Sequence, residues 1–193
     1  MTFQPRSYQT QGRQDIAAAF AAGARAVLYV LPTAGGKTEV FSDIARRVAD
    51  AGGSVLLTAH RRELIRQASA KLRRSSVNHG VILPGERRTF DRVQVGSIQT
   101  LGRRLEKIPR FKLLVLDEAH HAVAGQWAKL IASQPDAKIL GVTATPERLD
   151  GRGLGGVFDT MVLGPSVADL VDAGYIAPAR VYAPAAPPDV SAL

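Results

Sequence analysis

Ala26-Val27-Leu28-Tyr29-Val30-Leu31-Pro32-Thr33-Ala34-Gly35-Gly36-Lys37-Thr38 is the stretch on which the fold turns. Its first six residues form a short apolar run rich in β-formers, the pattern of a strand buried on both faces. After the glycines, Val40, Phe41, Ile44, Ala45, Val48 and Ala49 recur at helical spacing until Gly52-Gly53 stops them. A strand, a glycine-rich turn and a helix in that order present bare backbone N–H groups and the positive end of a helix to an anion. Lys37 adds a charge for β- and γ-phosphates, and the Thr38 hydroxyl can ligate Mg2+. The general pattern has glycine at the first loop position, where this chain has Leu31. The competing reading is a glycine-rich turn with a solvated lysine.

Working outward, strand-like and helix-like stretches alternate. Ser54 to Ala59, Val93 to Gly96, Leu113 to Leu116 and Lys138 to Thr143 read as strands. Leu64, Ile65, Ala68 and Leu72 line one side of a helix, and Trp127, Leu130 and Ile131 mark another, with Trp127 read as core. Alternation of this kind predicts an α/β fold, a mainly parallel central sheet with helices on both faces. Ser166 is placed to cap a short helix carrying Val167, Leu170 and Val171 and ending at Gly174, before a proline-rich tail, Ala183 to Pro188. No internal repeat is found.

Composition narrows the chemistry. In 193 residues there are no cysteines, which excludes disulfides, thiolate metal sites and a cysteine nucleophile. Only His60, His79, His120 and His121 remain as imidazole ligands, too few for an obvious zinc site. At 46% hydrophobic residues the chain can build a core, so wholesale disorder is excluded. A net charge of +8 favours polyanionic partners. No apolar run reaches membrane-spanning length and no signal peptide opens the chain, so a cytoplasmic protein without membrane contact is expected.

A phosphate loop needs a carboxylate near its Mg2+, usually at the end of a neighbouring strand. The run Lys112 to Leu116 ends in Asp117-Glu118-Ala119-His120. Successive residues after a strand point different ways, so Asp117 can hold the Mg2+ shell while Glu118 orients and deprotonates a water. On its own the pair reads first as a solvated acidic turn, a common feature of strand ends, and the phosphate loop is what reverses that reading.

With these residues in view, the chain resembles the first motor lobe of superfamily 2 helicases and translocases, the DEAD/DEAH-box group in the broad sense. Residues 32–38 are similar to its motif I, and Asp117-Glu118-Ala119-His120 to its motif II. Arg6-Ser7-Tyr8-Gln9 resembles the segment whose glutamine reads adenine. Thr58-Ala59-His60-Arg61-Arg62-Glu63-Leu64 looks like motif Ia, which touches the nucleic-acid backbone, and Thr143-Ala144-Thr145 like motif III, which couples hydrolysis to strand movement. Thr143 to Gly151, with Ser97 to Leu101, looks like the bacterial and phage branch related to the translocating subunits of restriction enzymes.

The resemblance implies a RecA-like P-loop NTPase, a three-layer sandwich. Residues 1–25 are expected to form an N-terminal helical segment, 26–165 the ATP-binding lobe, and 166–193 a helix, a strand and a linker toward a second RecA-like lobe that the sequence lacks. ATP and Mg2+ are the implied cofactors. Gln9, Thr33, Ala34, Gly35, Gly36, Lys37 and Thr38 would bind the nucleotide, with Thr38 and Asp117 on the metal and Lys37, Asp117 and Glu118 catalytic. His60, Arg61, Arg62, Ser97, Gln99 and Thr100 would meet nucleic acid, DNA in preference to RNA, and His120, Thr143 and Thr145 would couple the two sites. Full hydrolysis is expected to need the second lobe, and this lobe to be monomeric. A self-contained nucleotide-binding switch is the alternative. Ala34 departs from the family, which usually has glycine there. A positive φ at that position would cost alanine on the order of 1 kcal/mol, unless Gly35 takes up the turn.

Overall fold

The computed structural model describes residues 4–87, 89–122, 125–146 and 154–178. Helix α1 (Ser7–Ala21) leads into β1 (Ala26–Val30), α2 (Lys37–Asp50), β2 (Val55–Ala59), α3 (Arg62–Arg74), β3 (His79–Ile82) and β4 (Val93–Ser97). Then come α4 (Ile98–Gly102), β5 (Leu113–Asp117), α5 (Gln126–Ala132), β6 (Lys138–Thr143), β7 (Thr160–Leu163) and α6 (Val167–Asp172). The seven strands form one sheet in the order β3-β4-β2-β5-β6-β1-β7, and every pairing is parallel.

Period-two alternation divides the core between the two sheet faces. Val27, Tyr29, Leu57, Val95, Val115 and Val142 pack with Ile16 of α1, Phe41 and Ile44 of α2, and Ile65 and Leu72 of α3. Leu28, Leu56, Leu114, Leu116 and Ile139 face the other way, against Leu101 of α4, Trp127 and Leu130 of α5, and Phe158. This is the expected three-layer sandwich, with Trp127 in the core.

The chain punctuation works as the sequence indicates. Gly52, at φ 81°, ends α2: its amide bonds Ala49 at 2.9 Å and the Gly53 amide bonds Val48 at 2.8 Å, a Schellman pair. Ser166 caps α6 by accepting the Asp169 amide at 3.2 Å.

The strand order brings together what is distant in sequence. Because β2, β5, β6 and β1 lie side by side and parallel, the segments after them all emerge at one edge of the sheet, where α/β proteins place their ligands. Among the described residues no helix is long and apolar enough to cross a membrane. The motif III tail from Glu147 to Gly151, Arg88, and the proline-rich tail with its expected strand lie outside the described residues.

Candidate nucleotide and nucleic-acid site

The loop after β1 opens α2 with Gly36 as its N-cap, in the left-handed region at φ 87°. Among the described residues, none accepts a hydrogen bond from the amides of Gly36, Lys37 or Thr38. These are orphan donors of the first helical turn, grouped where the helix dipole is positive. Gly35 has no room for a side chain, since a Cβ there would meet Leu31 Cγ at 2.7 Å. At Gly36 a Cβ would collide with Gln9 Nε2. Gly36 therefore lets α1 close on the loop, and Gly35 lets the loop pack on its own Leu31 and Pro32.

Ala34 itself sits at φ 68°, while Gly35 is not in the left-handed region. The turn is thus taken by the residue with a Cβ, the costly arrangement foreseen from the sequence. Ala34→Gly is expected to raise stability by roughly 0.5–1 kcal/mol, after the extra chain entropy of glycine in the unfolded state. Urea unfolding would read this as a higher midpoint at unchanged slope. An unshifted midpoint would mean that Ala34 does not hold this conformation in solution.

Gln9 is buried, and both ends of its amide are engaged: Oε1 accepts the Arg6 amide at 2.9 Å, and Nε2 donates to the Gly35 carbonyl at 3.3 Å. The Tyr8 hydroxyl donates to the same carbonyl at 2.8 Å. Tyr8 also meets the Tyr175 ring edge-on, with centroids 5.2 Å apart, and the Arg6 guanidinium lies 4.8 Å above Tyr175. Sequence reasoning missed Tyr175, which follows α6 and carries no local signal. Its contact with Tyr8 and Arg6 is visible only once the chain has folded back on α1.

Across the loop stand the carboxylates. The Lys37 ammonium folds back to the Leu31 carbonyl at 3.1 Å. Burial lowers its pKa, while Glu118 and Asp117 pull it back up, so all three groups share one electrostatic site. Asp117, the last residue of β5, has its pKa raised to about 6, first by burial and then by the Glu118 charge, against the opposing help of the Glu118 amide and Lys37. Glu118 adopts φ 55° and ψ 52°, a conformation that a non-glycine residue holds only at a cost of order 1–3 kcal/mol, and such strain clusters at functional sites.

A polar line runs on from Glu118. Its Oε2 lies 3.4 Å from His120 Nδ1, which is also 3.3 Å from Thr143 Oγ1. Thr143 donates to the Thr145 carbonyl at 2.9 Å and accepts the Thr145 amide at 3.2 Å. The three coupling candidates are therefore contiguous with the acidic pair.

The residues assigned to nucleic acid divide by exposure. Arg61, Arg62 and Gln99 are exposed and His60 is half-buried, all at the ends of neighbouring strands β2 and β4. Gln99 Nε2 ties the two ends together by donating to the His60 carbonyl at 2.9 Å. Ser97 and Thr100 are buried and serve each other: Ser97 Oγ caps α4 by accepting the Thr100 amide at 3.2 Å and lies 2.8 Å from Thr100 Oγ1. Their side chains hold the α4 turn, leaving Gln99 as the member of this group that faces outward.

ATP and Mg2+ fit these residues on one structural observation: a set of unpaired amides, a lysine and a buried carboxylate converge with a hydroxyl, at Thr38, that makes no other hydrogen bond among the described residues. Residues 2–148 match the family described as type III restriction enzyme, res subunit. The IRC3 protein of Saccharomyces cerevisiae, provisionally named an ATP-dependent helicase, is 30% identical over 91% of this chain and 28% of its own length. Two solved structures share the fold. One is the UvsW helicase of bacteriophage T4, with TM-score 0.69 and 18% identity over 83% of this chain and 60% of that one. The other is a nuclease-deletion mutant of the type ISP restriction-modification enzyme LlaGI in complex with a DNA substrate mimic, with TM-score 0.69 and 15% identity over 90% and 21%. The chain spans about three tenths of the length of the curated relatives it matches.

Proposed function

Since the chain belongs to the type III restriction enzyme res subunit family, we propose that it is the nucleotide-binding lobe of a nucleic-acid-dependent ATPase, a DNA helicase or translocase. The observation that carries this reading is the convergence of the unpaired amides of Gly36, Lys37 and Thr38 with the Lys37–Asp117–Glu118 charge cluster. A helicase name on the yeast relative and a DNA complex of the LlaGI fold relative support it.

In this reading the loop amides and Lys37 hold the β- and γ-phosphates, while Thr38 and Asp117 hold Mg2+. Gln9 and Tyr8 fix the loop from the adenine side. Mg2+ supplies charge neutralisation on the phosphates when bound. Glu118 orients a water and takes its proton. His60, Arg61, Arg62 and Gln99 face a phosphate backbone, making contacts that position without reading sequence. DNA is preferred to RNA as the partner, and the cytoplasm is the proposed location. A second RecA-like lobe would supply the arginine finger, worth 10³–10⁵ in rate, so the lobe alone, as a monomer, hydrolyses ATP slowly.

The alternative of a nucleotide switch lacks any use for the exposed arginines after β2 or for the Glu118–His120–Thr143 line. Calorimetric titration of the chain with Mg2+ and a non-hydrolysable ATP analogue tests the proposal. Lys37→Ala is expected to weaken binding by about tenfold to a hundredfold, the value of a hydrogen bond to a charged group. Equal affinity in the variant, or no binding by the folded parent chain, would overturn the reading.

A further inference from the structure

His121 is the histidine in this region that neither sequence nor proposed function uses, yet it bridges the two halves of the site. Its ring meets the His60 ring edge-to-face, with centroids 5.4 Å apart at 72°, and lies tilted on His120 at 4.1 Å. His60 follows β2, on the side proposed to face phosphates, whereas His120 touches Glu118 and Thr143. Arg61 Nε donates to His60 Nε2 at 3.2 Å. A continuous run of contacts therefore reaches from Arg61 through His60, His121 and His120 to Glu118.

The run also contains an element that can change. The bond from Arg61 makes Nε2 of His60 an acceptor, so the ring proton is assigned to Nδ1. That atom is buried and has no hydrogen-bond partner among the described residues. Among the described residues, the Arg61 bond and ring packing hold the imidazole as it stands. A phosphate that takes the Arg61 donor releases that bond and frees the ring to turn, which alters its edge contact with His121. Burial, and then the charge of the next histidine, lowers the pKa of both His60 and His121 from 6.5. Arg61 lowers that of His60 further and Glu118 opposes the shift in both, so the pair is neutral at pH 7 and acts by contact rather than by charge.

We propose that His121 is a positioning residue that transmits phosphate binding at Arg61 to Glu118 through the packed rings of His60 and His120. This rests on the function proposed above. Coupling of this kind is reciprocal: the nucleotide must change affinity for nucleic acid by the factor that nucleic acid changes affinity for the nucleotide.

The test measures binding of a Mg2+–ATP analogue and of a labelled single-stranded DNA oligonucleotide to the full chain, each with and without the other. The parent chain is expected to show a cross-effect of about fivefold or more. His121→Ala should keep each separate affinity within about twofold, because the residue is exposed, and lose the cross-effect. His121→Phe, which keeps a ring in the contact, should retain it. A cross-effect that survives in His121→Ala, or is missing from a parent chain that binds both ligands, overturns the inference and leaves the proposed function standing. A parent chain that binds neither ligand overturns the proposed function instead.

Discussion

Replacing Glu118 with Gln is expected to leave Mg2+–nucleotide affinity within about twofold of the parent chain while lowering residual ATP hydrolysis by roughly 10²–10⁴, the usual contribution of a general base. The substitution isolates one property. Gln has the shape of Glu and the same backbone cost at φ 55°, so the turn after β5 is undisturbed. Its amide oxygen can still accept a hydrogen bond from His120 Nδ1, which now stands 3.4 Å from the carboxylate. The loop amides, Lys37 and Asp117, which hold the nucleotide in the proposed reading, are all retained. What is lost is the negative charge beside Lys37 and Asp117 and, with it, the capacity to take a proton from water. Because the arginine finger is proposed to come from a second lobe, the comparison belongs in single-turnover assays with excess protein, where slow chemistry is still counted. Unchanged turnover in the variant would remove Glu118 from the role of base.

How far the sequence reveals the fold depends on burial. β1, β2, β5 and β6 are interior strands with apolar side chains on both faces, so each is a continuous apolar run that announces itself. β3 and β7 are the sheet edges. In β7, Met161 and Leu163 are exposed and Val162 is half-buried, and in β3 the string His-Gly-Val-Ile is too short and mixed to show a period. Neither edge strand was expected, because pairing to one neighbour, rather than hydrophobic pattern, makes them strands.

The same division runs through the site. Motif residues clustered in sequence, such as Lys37 with Thr38 and Asp117 with Glu118, were legible, since backbone direction alone places them. The contacts of Tyr8 and Gln9 with the Gly35 carbonyl, of Tyr175 with Tyr8, and of His121 with His60 join residues far apart in the chain. They exist only because the sheet order brings those segments to one edge. Ser97 and Thr100 illustrate a local signal that carries two readings. A serine before an apolar helical turn, with a polar residue three positions on, is also a helix cap, and capping is what their hydrogen bonds do.

Asp117→Asn is expected to make the ligand-free chain more stable, by up to about 3 kcal/mol at pH 7, while removing Mg2+-dependent nucleotide binding. The carboxyl pKa is raised from 3.8 to about 6, chiefly because burial penalises the charge and then because Glu118 repels it. At 1.36 kcal/mol per pH unit between the two values, the ionised form costs the fold roughly that amount. The sign follows from proton binding. Between pH 3.8 and about 6 the folded state holds the proton more tightly than the unfolded state, so stability is greatest below this window and is lost as pH rises through it. Asn does not titrate and can keep the Glu118 amide bond, which now reaches Asp117 Oδ1 at 3.1 Å. The stability gap between variant and parent should therefore be small at pH 4 and fully open at pH 7, measured by denaturant unfolding in a metal chelator. Added Mg2+ with nucleotide should then stabilise the parent alone, because binding to the native state shifts unfolding by mass action. A gap that is the same at both pH values would mean that Asp117 is not a buried charge in the free chain. Equal stabilisation of both proteins by Mg2+ and nucleotide would take it out of the metal site. If both expectations hold, the fold keeps at the end of β5 a charge that costs it stability, and the nucleotide-bound metal ion is what offsets that cost.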